Sequence, residues 1–285
     1  HLSIKLLFQD MTPLPITISI LTWKSPKTLQ RTLQSLAPIK NFFAERLVIC
    51  QESDPEEIAI SEACGFTPVK LKDNVGIQNG LVECVKNASH QHTLILENDI
   101  PWIVSSDRAV NFHSDCVQFL ASGLKLCRLD KFEKVPRKRF SRFWGSAFPA
   151  TRTFLGLIRP FEANSIRAEI IGLEGFQHDS SMNSFLKKIT ETFYITNSSA
   201  VFYNGHALLV DREFFLNNII AYAESARPRR SFNQSPELES TINCPRNRRW
   251  WRSNKFPIGI SAPGYFGHLR YDRYELDEKS LSGGG

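Results

Sequence analysis

The chain has 285 residues, 42% hydrophobic and 22% charged, with net charge +6 and a pI near 9.0. This is ordinary globular composition with enough apolar material for a full core. No apolar run approaches the ~20 residues that cross a bilayer, and the six cysteines are scattered without a CxxC pair, which argues against a zinc ribbon or a dense disulfide framework.

Residues 1–10 precede Met11 and read as a leader, and 279–285 read as a tail. Pro15 to Leu21 is a β-branched run and predicts the first strand. Ser25 followed by Pro26 predicts a helix start, N-cap then N1, and Leu29, Leu33 and Leu36 recur at helical spacing up to Pro38. Arg46 to Cys50 predicts the second strand. Its exit loop, Gln51 to Pro55, leads into a helix capped by Asp54 or Ser53 that carries Ile58, Ile60 and Ala63 and ends at Gly65. Pro68 to Leu71 predicts a third strand, Asp73 to Gly76 a turn, and Ile77 to Asn87 a helix with Leu81, Val82 and Val85 inward. Leu94 to Leu96 is a fourth, short apolar strand that ends in Glu97-Asn98-Asp99. Ala109 to Leu126 reads as a helix; most of 101–200 carries no clear pattern. Cys50 and Cys84 sit in apolar patterns as buried thiols, so a reducing, cytoplasmic setting is the simpler expectation.

Strands alternating with helices of about ten residues imply an α/β fold, a mainly parallel sheet with helices on both faces, in a single domain. Right-handed crossovers then bring the four strand exits to one edge. Ligands of open α/β sheets bind outside the carboxyl ends of the strands. The exits read Thr22-Trp23-Lys-Ser, Gln51-Glu52-Ser-Asp, Lys72-Asp-Asn74-Val-Gly76 and Glu97-Asn98-Asp99. Two carboxylates spaced like Glu97 and Asp99 can hold Mg²⁺ or Mn²⁺, and the cation a diphosphate. GxGxxG and GxxxxGK[ST] are absent, which weakens the dinucleotide and P-loop readings. Basic clusters at Lys131–Arg142, Arg227–Arg230 and Arg246–Arg252 keep a nucleic-acid-binding protein as the alternative of another class. That alternative is disfavoured because no RRM, KH or finger pattern appears.

The ordered set resembles a GT-A-type glycosyltransferase, nearest to the inverting family 2 pattern. Ile16 to Trp23 resembles that family's first strand, Arg31 to Leu36 its L-x-S-L helix and Leu47 to Asp54 its second strand and acidic loop. Asn74 to Gly80 resembles its N-x-G-x-x-x-G turn, and Glu97-Asn98-Asp99 stands at its DxD position. More loosely, Tyr203 to Phe215 resembles the acceptor-side strand and helix, Ser235 to Glu239 the acidic base motif, and Gly264 to Arg270 a late segment with a metal-binding histidine. Small glycosyltransferases encoded by large chlorella viruses are similar in ensemble.

The resemblance implies a nucleotide-sugar-binding half over 11–100 and an acceptor-binding, catalytic half over 101–278. It implies an inverting transfer from a UDP-sugar to a glycan hydroxyl, hexosyl or pentosyl, with a retaining enzyme of the same fold as the alternative. Mn²⁺ or Mg²⁺ would be held by Asp99, Glu97 and His268. Thr22, Trp23, Glu52, Asn74, Gly76 and Asn98 would face the nucleotide, and Arg270 or Arg252 would neutralise phosphate. Ser235 and Pro236 read as N-cap and N1, which places Glu237 in a first helical turn where the dipole keeps it ionised. Glu237 leads as general base, Glu239 follows, and Asp179 and Asp211 stand behind them. The sugar, the acceptor and the oligomeric state are not legible.

Overall fold

The computed structural model describes residues 12–131, 186–226, 236–244, 246–262 and 264–269. Its first part follows the expected alternation: β1 (Leu14–Thr22), α1 (Pro26–Ser35), β2 (Phe43–Cys50), α2 (Pro55–Ala63), β3 (Thr67–Lys70), α3 (Gly76–Lys86) and β4 (His92–Glu97). After α4 (Ala109–Ser122) come β5 (Leu126–Arg128), β6 (Lys187–Lys188), β7 (Phe193–Asn197) and β8 (Leu208–Asp211). A helical run follows β8, formed by α5 (Arg212–Phe214), a π segment (Phe215–Ile220) and α6 (Ala221–Ser225). Then come α7 (Leu238–Asn243), α8 (Arg248–Asn254) and β9 (Pro257–Ser261).

One sheet holds all nine described strands in the order β3-β2-β1-β4-β8-β5-β9-β7-β6. The first four are parallel, and β8 joins β4 antiparallel, with Leu94 opposite Leu209. β5 and β9 are parallel to each other, and β7 runs antiparallel to β9. The fold is therefore α/β, a mainly parallel sheet clad by helices on both faces. Strand parity divides the core. Ile16, Ile18, Ile20, Leu94 and Leu96 pack on one face with Leu29 and Leu33 of α1 and Phe112 and Phe119 of α4. Ile49, Ile95, Val210 and Ile258 pack on the other with Leu81 and Val85 of α3, Phe215, Ile242 and Trp251.

Two expectations need correcting, the start of β2 and the end of α4. β2 begins at Phe43, because Phe43 and Glu45 already pair with β1. α2 turns Glu57 and Ser61 inward, whereas Ile58 and Ile60 are half-buried and Ala63 is exposed. α4 stops at Ser122, where Gly123 takes φ 64°, and Leu126 opens a strand. Ser25 stands at the N-cap of α1 and Pro26 at N1, as expected, and the Ser25 hydroxyl donates to the Trp23 carbonyl at 3.2 Å. Asp54 does cap α2, accepting from the Glu56 and Glu57 amides at 2.9 and 3.1 Å. Cys50 and Cys84 are buried and unpaired, and burial pushes each thiol up to about 12. No helix among the described residues is long and apolar enough to cross a membrane.

Candidate active site

The parallel strands β1, β2 and β4 deliver their exits to one edge. Trp23, at the β1 exit, is 43% exposed. The Lys24 ammonium lies 5.6 Å above its ring and ion-pairs with Glu52 from the β2 exit. That contact with Lys24 holds the Glu52 carboxyl below its usual range. Lys24, Glu52 and Ser53 all take left-handed backbone, with φ of 48°, 59° and 51°. Such conformations cost ~1–3 kcal/mol each and persist where the surroundings over-determine them, typically at functional sites.

Beside them the Asn74 carboxamide oxygen accepts from the Gly76 amide at 2.8 Å, and Gln51 Oε1 accepts from the Val75 amide at 3.0 Å. Asn74 is thus engaged in making its own turn, and Gly76 supplies the φ of 79° that the turn requires. Thr22 and Asn98 are also engaged internally. Thr22 is buried, donates to Glu57 Oε1 at 2.5 Å and accepts from Asn98 Nδ2 at 3.1 Å.

Asp99 meets its partner from the far end of the chain. The 264–269 segment zips between the β4 and β5 exits. The Tyr265 amide donates to the Leu129 carbonyl at 2.8 Å, Gly267 to Pro101 at 3.1 Å and Leu269 to Asp99 at 2.8 Å. Tyr265 stacks on Trp102 and donates its hydroxyl to Asp115 at 2.6 Å. Fixed this way, His268 Nε2 stands 3.0 Å from Asp99 Oδ2. Glu97 lies two residues back with the strand parity of Ile95, and its charge is felt by Cys84 of α3. Among the described residues no three His, Cys, Asp or Glu side chains are grouped to hold a metal ion.

The second half extends this pair into a chain of groups. The His206 ring lies edge-on to His268 with centroids 4.8 Å apart, and its Nε2 is 3.8 Å from Glu239 Oε2. Glu239 also accepts from the Gly205 amide at 3.3 Å. Asn204 Oδ1 accepts from the His206 amide at 2.8 Å, while its Nδ2 donates to Asp130 at 2.8 Å. Arg128 pairs with Asp130 at 3.2 Å. Ala207, next to His206, has φ 40°. Burial pulls the His206 pKa down, against the charges of Glu239, Asp130 and Asp99.

Glu237 sits differently from expectation. It is the N-cap residue of α7, not a first-turn residue, and Ser240 Oγ donates to its Oε2 at 2.7 Å. Asp211 is far from the site. It ends β8 at the opposite edge, opposite His92, and caps α5 through the Phe214 amide at 2.9 Å. Arg252 lies on α8, partly exposed. Asp179, Ser235, Arg270 and the first two basic clusters apart from Lys131 lie outside the described residues.

His206, Asp130, Asn204 and Glu57 were missed from sequence. Asp130 had a weak signal, since it follows the short strand Leu126-Cys127-Arg128 closely, as Asp99 follows β4. His206 had a weaker one, standing just before the apolar run of β8. A buried carboxylate on α2 had none.

No protein-family model and no curated protein matches the chain. Solved structures show a distant likeness. A glucosyl-3-phosphoglycerate synthase from Mycobacterium tuberculosis, in complex with Mn²⁺, UDP and glucosyl-3-phosphoglycerate, is 13% identical over 92% of this chain and 74% of that one, with TM-score 0.46. S. aureus TarS 1-349 is 11% identical over 89% and 60%, with TM-score 0.48. The mannosyltransferase PcManGT from Pyrobaculum calidifontis, in complex with GDP-Man and Mn²⁺, is 13% identical over 49% and 44%, with TM-score 0.35.

Proposed function

We propose that the protein is a GT-A-type glycosyltransferase that moves a sugar from a UDP-sugar to a hydroxyl of a glycan acceptor, with inversion and with Mn²⁺ or Mg²⁺. One observation carries this reading. At the carboxyl edge of the sheet, Asp99 from β4 meets His268, and His206 and Glu239 continue from that pair into the second half.

The donor set fits a hard cation that draws its other ligands from water and a diphosphate. The 3.0 Å spacing brings an Asp99 carboxylate oxygen and a His268 ring nitrogen close enough to serve one ion together. Asp99 and His268 would hold the ion; Glu97 has the parity to support the β4 exit from the other face. Bound there, the ion would neutralise the charge that gathers on the diphosphate as it leaves.

Exposed Trp23 offers a ring for the nucleobase, and Glu52 offers an acceptor for its N–H groups. On the other side Glu239 is the base. The acceptor oxygen forms its bond to the anomeric carbon as the bond to the UDP oxygen breaks. The bonding electrons leave with UDP, and the hydroxyl proton passes to Glu239. His206 stands between this carboxylate and the Asp99–His268 pair, placed to orient it.

Titration with UDP, with and without Mn²⁺, by calorimetry tests the donor assignment; binding in neither condition rejects it. Product anomeric configuration by NMR separates inversion from retention.

A further inference from the structure

Glu57 lies in the first turn of α2 and is 0% exposed. Its Oε1 accepts from Thr22 Oγ1 at 2.5 Å and from the Ser25 amide at 2.8 Å. The Lys24 amide also favours its charged form. Its Oε2 is buried with no hydrogen-bond partner among the described residues. Burial raises its pKa against these donors.

A carboxylate in such a place is costly unless donors converge on it. Here they come from one short segment, the β1 exit, and the segment passes the link on. Thr22 Oγ1 receives Asn98 Nδ2 at 3.1 Å. Asn98 is further held by its amide on the Leu21 carbonyl at 2.9 Å and by Thr32 Oγ1 on its own carbonyl at 2.5 Å. Asn98 is the residue before Asp99. The chain Glu57–Thr22–Asn98 therefore ties α2, the β1 exit and the β4 exit together beneath the edge where Trp23 and Asp99 emerge.

We propose that Glu57 is a positioning residue for the donor site: acting through Thr22 and Asn98, it locks the β1 exit loop and the Asp99-bearing β4 exit loop into one unit. This rests on the reading of that edge as the donor site. Thr22 and Asn98 are then internal struts, and Trp23 and Asp99 are the groups they present.

Glu57→Gln keeps the shape but weakens the shared acceptor and puts an NH₂ where Oε2 has no partner. Thr22→Val removes only the hydroxyl that relays the link. Hydrogen–deuterium exchange of 22–25 and 96–100 in the nucleotide-free protein reads the coupling directly, since local opening is what exchange reports. Both variants are expected to speed exchange in both segments while the β1 core stays protected. Mn²⁺-dependent UDP binding is expected to weaken about 10–100-fold, the range for groups that orient ligands from behind. The double variant is expected to be no worse than the worse single one, as for residues acting in one chain.

Unchanged exchange at 96–100 in Glu57→Gln overturns the inference, whatever UDP does. So does altered exchange with wild-type UDP affinity, because the lock would then position nothing. If Glu57→Gln fails to fold, Thr22→Val carries the same two readouts. A wild-type protein that binds no UDP rejects the donor reading instead, and the exchange experiment still decides the coupling.

Discussion

The two halves of the sheet meet at the β4–β8 ladder and are made in different ways. On one side, β1 to β4 are laid down by strand-helix alternation, all parallel, each joined to the next strand in the chain by a helix of about three turns. On the other, β5 to β9 mix directions and bring together segments far apart in the chain. The site takes from both. The first half offers Trp23, Glu52 and Asp99 on exits braced from below. The second offers His206, Glu239 and His268 on loops and a six-residue helix. If the edge serves the two-substrate transfer proposed above, the donor would lie on the regular half and the acceptor on the irregular one.

The largest effect tests where the halves join. Asp99→Ala removes the carboxylate that faces His268, not core packing. Turnover and Mn²⁺-dependent UDP binding are expected to fall by about 10³-fold or more, since a bound cation contributes several kcal/mol of charge stabilisation. The far-UV circular dichroism should stay that of the wild type. A variant that keeps wild-type turnover with Mn²⁺ removes Asp99 from the site.

The next tests the second half alone. Glu239→Gln keeps the shape but cannot accept a proton, so turnover is expected to drop ~10²–10⁴-fold while UDP affinity holds. Glu237→Gln is expected near wild type, because that carboxylate is bonded to Ser240 at the helix start. The reverse ranking would return the base role to Glu237.

Gly264 tests how His268 is brought in. Its φ is 87°, and an added Cβ would fall on the Asp130 carbonyl. Gly264→Ala therefore meets both a disfavoured backbone and a backbone neighbour that cannot rotate away. A loss of ~2–4 kcal/mol in urea unfolding is expected, with Mn²⁺ dependence lost before the fold is.

The same contrast explains what could be read from sequence. Leu29, Leu33 and Leu36, or Leu94 to Leu96 followed by Asp99, are local patterns whose period reports the buried face directly. In α2 the apolar period does not report the buried face: Glu57 turns inward to Thr22 and Ser25 at the β1 exit and Ser61 is buried, whereas the isoleucines are only half-buried. In the second half the decisive facts are pairings across more than a hundred residues. His268 to Asp99 spans 169 positions and Tyr265 to Asp115 spans 150. No window of sequence contains both members. The π segment at Phe215–Ile220 likewise had no local signal.

The smallest effect is expected at the seam itself, on the edge away from the site. Asp211 is buried, which alone would raise its pKa, but bonds from Lys125 at 2.8 Å, the Phe214 amide at 2.9 Å and Gln91 at 3.1 Å outweigh this and hold it below its ordinary value. A carboxyl with a lowered folded pKa stabilises the protein above its unfolded pKa, and that contribution fades as pH falls through the folded value. Asp211→Asn can still cap α5 but no longer meets the Lys125 charge. Because Lys125 is 46% exposed, solvent screens half of the pair, and a loss of only ~1 kcal/mol is expected at pH 7. Urea unfolding at several pH values should show the difference shrinking below about pH 4, where the unfolded Asp protonates. UDP affinity should not change. A weakened UDP complex in Asp211→Asn would mean that the seam transmits strain across the sheet, and that donor and acceptor halves are not the separate units their construction suggests.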